Sequence, residues 1–199
     1  DSRNGLKYGW NFDHTDLGRK TSPSSGSILL DTHVRFHNTG SDGQGVWELE
    51  IPNGSYFVKA GIGDGGAAST HTLNVEGVNF WDAVGLAAGE FVQETRLVTV
   101  HDGRLTLDQG TAGEQKTRLT HLEVYKIPVK SVALNKTSLT MPIGGTETLT
   151  AIVTPAYATN SNIVWSSSDT TVVLVTYGTV FAIGEGTAWI RASADDSSG

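Results

Sequence analysis

The stretch Trp47-Glu48-Leu49-Glu50-Ile51-Pro52-Asn53-Gly54-Ser55-Tyr56-Phe57-Val58-Lys59-Ala60-Gly61-Ile62 decides the fold class. Trp47, Leu49 and Ile51 alternate with Glu48 and Glu50, and Tyr56, Val58, Ala60 and Ile62 share one face of the following run. That period of two is the mark of strands with one buried side. Pro52-Asn53-Gly54 lies between them and supplies a residue tolerant of positive φ, so 46–62 reads as a β-hairpin. Trp47, in step with Leu49 and Ile51, reads as core.

Outward from this pair the same alternation recurs in Leu73/Val75, in 97–100, in Leu105/Leu107 and in Leu122/Val124, with His101-Asp102-Gly103 read as a second hairpin turn. The one helix candidate is short, 82–88. Beyond Ile127 the apolar runs are 131–134, 139–141, 146–154, 163–166, 172–175, 180–183 and 187–192, with Trp165 and Trp189 read as core residues. Short strands at this spacing predict an all-β protein of two β-sandwiches. The six His residues all precede residue 127, as do most Lys and Arg, whereas the remainder is rich in Thr and poor in charge. The boundary is therefore expected at 125–129, with Pro128 as the break and domains over 1–127 and 128–199.

Composition removes several functions. No run approaches the roughly 18 apolar residues of a spanning helix, and Asp1-Ser2-Arg3-Asn4-Gly5 lacks a basic region leading into an apolar one, so no membrane anchor is expected within this chain. A net charge of -7 opposes the phosphate attraction behind nucleic-acid affinity. With no Cys, disulfides, thiolate metal sites and a cysteine nucleophile are excluded, and the redox compartment stays open.

The run Val132-Ala133-Leu134-Asn135, Leu139, Ile143-Gly144-Gly145-Thr146-Glu147-Thr148-Leu149-Thr150-Ala151, Val153-Thr154-Pro155, Val164-Trp165-Ser166-Ser167-Ser168, Gly178-Thr179-Val180 and Ala182-Ile183-Gly184-Glu185-Gly186-Thr187-Ala188 resembles the bacterial Ig-like domain, group 2. The resemblance covers about 129–199 and implies a spacer or adhesive module of a bacterial surface or secreted protein. The family continues into a final strand where this sequence reads Ser197-Ser198-Gly199, and the expectation is a domain lacking that strand, with an exposed edge.

In the first half, Tyr8-Gly9-Trp10-Asn11, Arg19, Asp31-Thr32, 47–56, Gly63-Asp64, Thr72-Leu73-Asn74-Val75-Glu76-Gly77 and 98–107 resemble a malectin-like, galactose-binding-type jelly roll. The resemblance implies a carbohydrate-binding module of a secreted bacterial polysaccharide-degrading enzyme, a polysaccharide or oligosaccharide partner, and a covalently linked catalytic domain in the parent chain. By analogy it also implies a structural Ca²⁺, with no dense run of acidic ligands to assign it to.

A sugar presents an apolar C–H face and a rim of hydroxyls, so its site needs an exposed flat ring beside carboxylate, amide or guanidinium groups. Trp81, in Val78-Asn79-Phe80-Trp81-Asp82 ahead of Gly-rich 85–89, reads as a ring in an open loop. Trp10 reads either as a site residue or as the anchor of the N-terminal segment. The loop 61–71 is Gly-rich, but the alternating Thr72-Leu73-Asn74-Val75-Glu76 leaves no helix N-terminus for a dinucleotide phosphate. Asp64 and His71 instead read as groups able to reach ligand hydroxyls. His33, Arg35 and His37, spaced by two, share one face of an extended segment, and Arg35 with Arg19 suits an acidic sugar, because guanidinium grips carboxylate bidentately. Arg35 can equally pair with Asp31.

For catalysis no carboxylate pair stands out by spacing, and His14-Thr15-Asp16 and His33/His37 match no metal motif. The expectation is a non-catalytic binding module with a spacer, secreted by a bacterium. The alternative is a structural or adhesion segment without a sugar site. Asn53-Gly-Ser and Asn135-Lys-Thr spell glycosylation sequons only.

Overall fold

A computed structural model describes residues 2–3, 6–10, 18–20, 32–36, 45–110 and 117–195. The chain divides into two compact units between Tyr125 and Lys126. Among the described residues every regular element is a strand, and no helix is long and apolar enough to cross a membrane.

The first unit is built from β1 (Ser2–Arg3), β2 (Leu6–Trp10), β3 (Gly18–Lys20), β4 (Thr32–Arg35), β5 (Trp47–Glu50), β6 (Gly54–Gly63), β7 (Ser69–Val75), β8 (Val78–Leu86), β9 (Phe91–Val100), β10 (Arg104–Asp108) and β11 (Arg118–Lys126). One sheet has the order β1-β2-β5-β10-β7-β8 and the other β3-β4-β11-β6-β9. The alternation seen in the sequence sets the layer between them. Leu49, Leu73, Val75, Leu105 and Leu107 come from the first sheet and Tyr56, Val58, Ala60, Ile62, Val98 and Val100 from the second, forming one buried cluster with Phe36, Phe80 and Trp81. Trp47 packs against it, half-buried.

Two expected hairpins are corrected. β5 pairs with β2 and β10, while β6 pairs with β9, so 51–53 carries the chain from one sheet to the other. The turn at 101–103 likewise joins β9 of one sheet to β10 of the other. Alternation and turn residues signal a reversal, but a reversal onto the facing layer looks the same in sequence as one within a sheet. The two turns brace each other: Gly103 N–H donates to Asn53 Oδ1 at 2.7 Å and Ile51 N–H to the Gly103 carbonyl at 3.0 Å.

The expected helix at 82–88 is a strand. Glu76 and Gly77, at φ 52° and 70°, form the tight turn that joins β7 to β8, and Val75 faces Val78 across it. Positive φ at both central residues matches the strands' right-handed twist. Once that hairpin starts, pairing with β7 outweighs the weak local helix preference of 82–88.

The second unit contains β12 (Ser131–Leu134), β13 (Thr146–Thr148), β14 (Ala151–Thr154), β15 (Ile163–Ser167), β16 (Val173–Thr176), β17 (Thr179–Ala182) and β18 (Ile190–Ala194). They pair as β12-β14, β13-β17-β16 and β15-β18. The expected run 146–154 is split in two, and 139–141 forms no strand. Ile127, Leu149, Ala158 and Val180 are its buried apolar residues among those described. Trp165 is half-buried, but Trp189 is 80% exposed, which corrects its assignment to the core. Its backbone is held by Ser168, through N–H to Oγ at 2.8 Å and carbonyl to N–H at 2.9 Å, ahead of β18, so the ring escapes the inward-facing register of the strand.

Candidate functional site

Three of the candidate residues meet at β4, β7 and β11, through a fourth that the sequence reading missed, Arg118. The opening of β11 lies beside β4, with Arg118 directly opposite Arg35 and Leu119 opposite Val34. Arg118 is 5% exposed, and its Nη1 lies 2.8 Å from Asp64 Oδ2 and donates to the Ala67 carbonyl at 3.4 Å. Asp64 Oδ1 accepts the Gly66 N–H at 2.7 Å, which folds the 64–66 turn around the carboxylate.

His71 joins from the other sheet. Its Nδ1 accepts the backbone N–H of Arg118 at 3.2 Å, so the proton of the neutral ring sits on Nε2, which faces Ser69 Oγ at 2.9 Å. The ladder of β7 slips between His71 and Leu73, and such a bulge re-aims the side chains beside it. Here His71, Thr72 and Leu73 are all buried. Thr72 and Thr117 close the junction: Thr117 Oγ1 accepts the Thr72 N–H at 2.9 Å and donates to its carbonyl at 2.8 Å.

Burial pulls the Arg118 pKa below its usual value, Asp64 opposes that, and the neighbouring Arg35 charge adds to it. A guanidinium stays protonated regardless. Among the described residues Arg35 Nε and Arg118 Nε are buried with no hydrogen-bond partner. Two guanidinium groups therefore lie near each other at one end of the sandwich, and Asp64 is ion-paired with Arg118.

The aromatic expectations divide. Trp81 lies inside β8, paired with Leu73, and is 7% exposed against Phe80 at a centroid distance of 5.9 Å. The expectation of an open-loop indole is overturned, because pairing with β7 turns this ring into the core layer. Asp64 and His71, expected on a mobile loop, are 4% and 0% exposed and belong to the internal framework. Trp10 is half-buried, faces Trp47 across β2 and β5, and packs edge-on against Phe36 at 4.8 Å. Since Phe36 follows Arg35 in the chain, Trp10 sits at the same end as the paired arginines. Arg19 lies in β3 opposite His33, and the description covers only the backbone of both. His14-Thr15-Asp16, Asp31 and His37 lie outside the described residues. Among those described, no group of three or more His, Asp or Glu is placed to hold a metal.

In the second unit two clefts of about 330 and 300 Å³ border Leu139 and are walled mostly by aliphatic and Thr residues. They hold no pair of titratable groups. Residues 128–199 match the bacterial Ig-like domain, group 2. An uncharacterised protein of Clostridium acetobutylicum is 39% identical to this chain over 69 residues, which are 34% of the chain and 7% of that protein. The chain thus spans a small part of that relative.

Among solved structures, the protein YxiM of Bacillus subtilis is similar with a TM-score of 0.42 and 23% identity, over 60% of this chain and 32% of that one. An exo-β-1,3-galactanase from Phanerochaete chrysosporium gives 0.34 and 14% over 60% and 27%. A family 35 carbohydrate binding module from an environmental isolate gives 0.30 and 16% over 53% and 77%.

Proposed function

We propose that the first unit is a non-catalytic carbohydrate-binding module that takes an acidic glycan. In this reading the Ig-like unit is a spacer, within a secreted bacterial protein that carries a polysaccharide-active catalytic domain. The observation that carries the reading is the convergence of Arg35 and Arg118. Arg35 is only half-buried and faces a buried second guanidinium. A uronate carboxylate would meet Arg35 in the fork geometry guanidinium offers and would relieve the like-charge pair behind it. Arg118, held by Asp64 and by its backbone N–H on His71, is the positioning residue. The partly open Trp10 edge offers the apolar surface a pyranose C–H face requires. One shallow site gives modest affinity, and tethering converts it into a raised local concentration for a linked catalytic domain.

Affinity electrophoresis with polygalacturonate and with neutral galactan tests this. Retardation by polygalacturonate that weakens with salt, disappears in Arg35→Ala and partly returns in Arg35→Lys is the expected result. No retardation by any acidic polysaccharide overturns it and favours a structural segment.

A further inference from the structure

The outer face of the second sheet carries a feature that the acidic site does not use. Among the described residues of the first unit, the exposed large hydrophobic side chains are Phe57, Leu97 and Tyr125, at 38%, 39% and 48%. All three fall together. Phe57 faces Leu97 in the β6–β9 ladder. On the other side of β6, Lys59 Nζ donates to Glu123 Oε1 at 3.1 Å, and a Cβ on Gly61 would collide with the His121 ring. These two contacts fix an antiparallel alignment of β6 and β11, and two residues further along it Phe57 lies beside Tyr125. The phenol of Tyr125 donates to Glu123 Oε2, which holds the ring in place.

We infer that this face is a second saccharide-binding surface, on which a neutral stretch of a glycan chain lies across the Phe57 and Tyr125 rings and hydrogen-bonds to Glu123. The polar surroundings suit hydroxyls. Hydrogen bonds from Tyr125 first, and from Lys59, hold the Glu123 carboxyl below its usual range, so it accepts at neutral pH. Thr95 lies opposite Lys59, and Ser55 Oγ lies 3.1 Å from Thr99 Oγ1 along the same face. Size argues against a protein partner. Three side chains of roughly 150–250 Å² each, less than half exposed, offer on the order of 200–300 Å², against about 800 Å² per partner in a stable protein interface. The patch matches one or two sugar rings. The surface is separate from the arginine end and does not rest on the acidic-glycan reading.

Affinity electrophoresis of the full chain with soluble xylan, galactan and mixed-linkage glucan is the test, comparing the parent with Phe57→Thr, Tyr125→Thr and Arg35→Ala. Thr retains strand preference, so both variants should still unfold in one cooperative thermal transition, at a modestly lowered midpoint. Retardation by at least one neutral polysaccharide, weakened roughly tenfold by each ring substitution and untouched by Arg35→Ala, is expected. Failure of all three to retard the parent, retardation indifferent to Phe57→Thr and Tyr125→Thr, or a self-association abolished by these two substitutions would overturn the proposal. Loss of polygalacturonate retardation in Arg35→Ala with the neutral binding intact separates the two sites.

Discussion

Arg35 and Arg118 face each other as direct partners across the β4–β11 ladder, and Asp64 lies 2.8 Å from the deeper of the two. Breaking such a buried pair from one side leaves an uncompensated charge and costs about 3–5 kcal/mol, whereas replacing both partners with apolar residues recovers much of that loss. Asp64→Leu is accordingly expected to lower the urea midpoint of the first unit sharply, and Asp64→Leu with Arg118→Met to regain a substantial part. A double variant no more stable than the single one would refute this account.

Trp81 belongs to the core, so its removal should be read as instability. Trp81→Ala is expected to cost about 3–5 kcal/mol, seen as a lowered unfolding midpoint. Trp81→Phe, which keeps most of the apolar volume, should fold with glycan retardation unchanged. Selective loss of retardation in a fully stable Trp81→Phe would contradict the burial argument.

Gly61 is where the chain needs the absence of a side chain. A Cβ there would lie 2.2 Å from His121 Cε1, and overpacking of this kind costs about 1–3 kcal/mol. Gly61→Ala should destabilise the parent and cost less in a His121→Ala background, where the 2.8 Å approach to Thr120 Oγ1 remains. That non-additivity, measured in a double-mutant cycle by chemical denaturation, is the diagnostic.

His121 also sets a pH response. Burial, foremost, and then Lys59 depress its pKa below 6.5, with Glu123 opposing. The unfolded chain therefore takes up this proton before the native one does, and stability is lost as pH falls below about 6.5. Above that pH both states are neutral and the effect vanishes. His121→Gln should lose less stability than the parent between pH 7.5 and 5.5, by urea denaturation. Equal losses in both proteins would remove His121 as the cause.

Trp189 gives the opposite contrast to Trp81. With most of its ring in solvent, Trp189→Ala should change stability by no more than about 0.5 kcal/mol, monitored by the unfolding midpoint of the Ig-like unit.

Read as sequence alone, the chain already declared its strands. The alternation of Tyr56, Val58, Ala60 and Ile62 named four residues that are buried in the core. The pattern of 73–75 was equally legible. The positions of Trp81 and Trp189 were not, because a neighbouring turn or a slipped ladder decides whether a ring points in or out. Arg118 carried no local signal, since its meaning comes from Arg35, Asp64 and His71, the last 47 residues away.

Most strands, though not 82–88 or the false run at 139–141, the all-β class and the change of composition near residue 127 were thus determined by the sequence itself, because side-chain alternation and turn chemistry act over a few neighbouring residues. Which strand pairs with which, which indole is sealed, and where two arginines or three exposed apolar side chains converge were decided only by the tertiary structure. Those outcomes depend on contacts between segments far apart in the chain, such as Lys59 with Glu123 across 64 residues, and no local pattern encodes them.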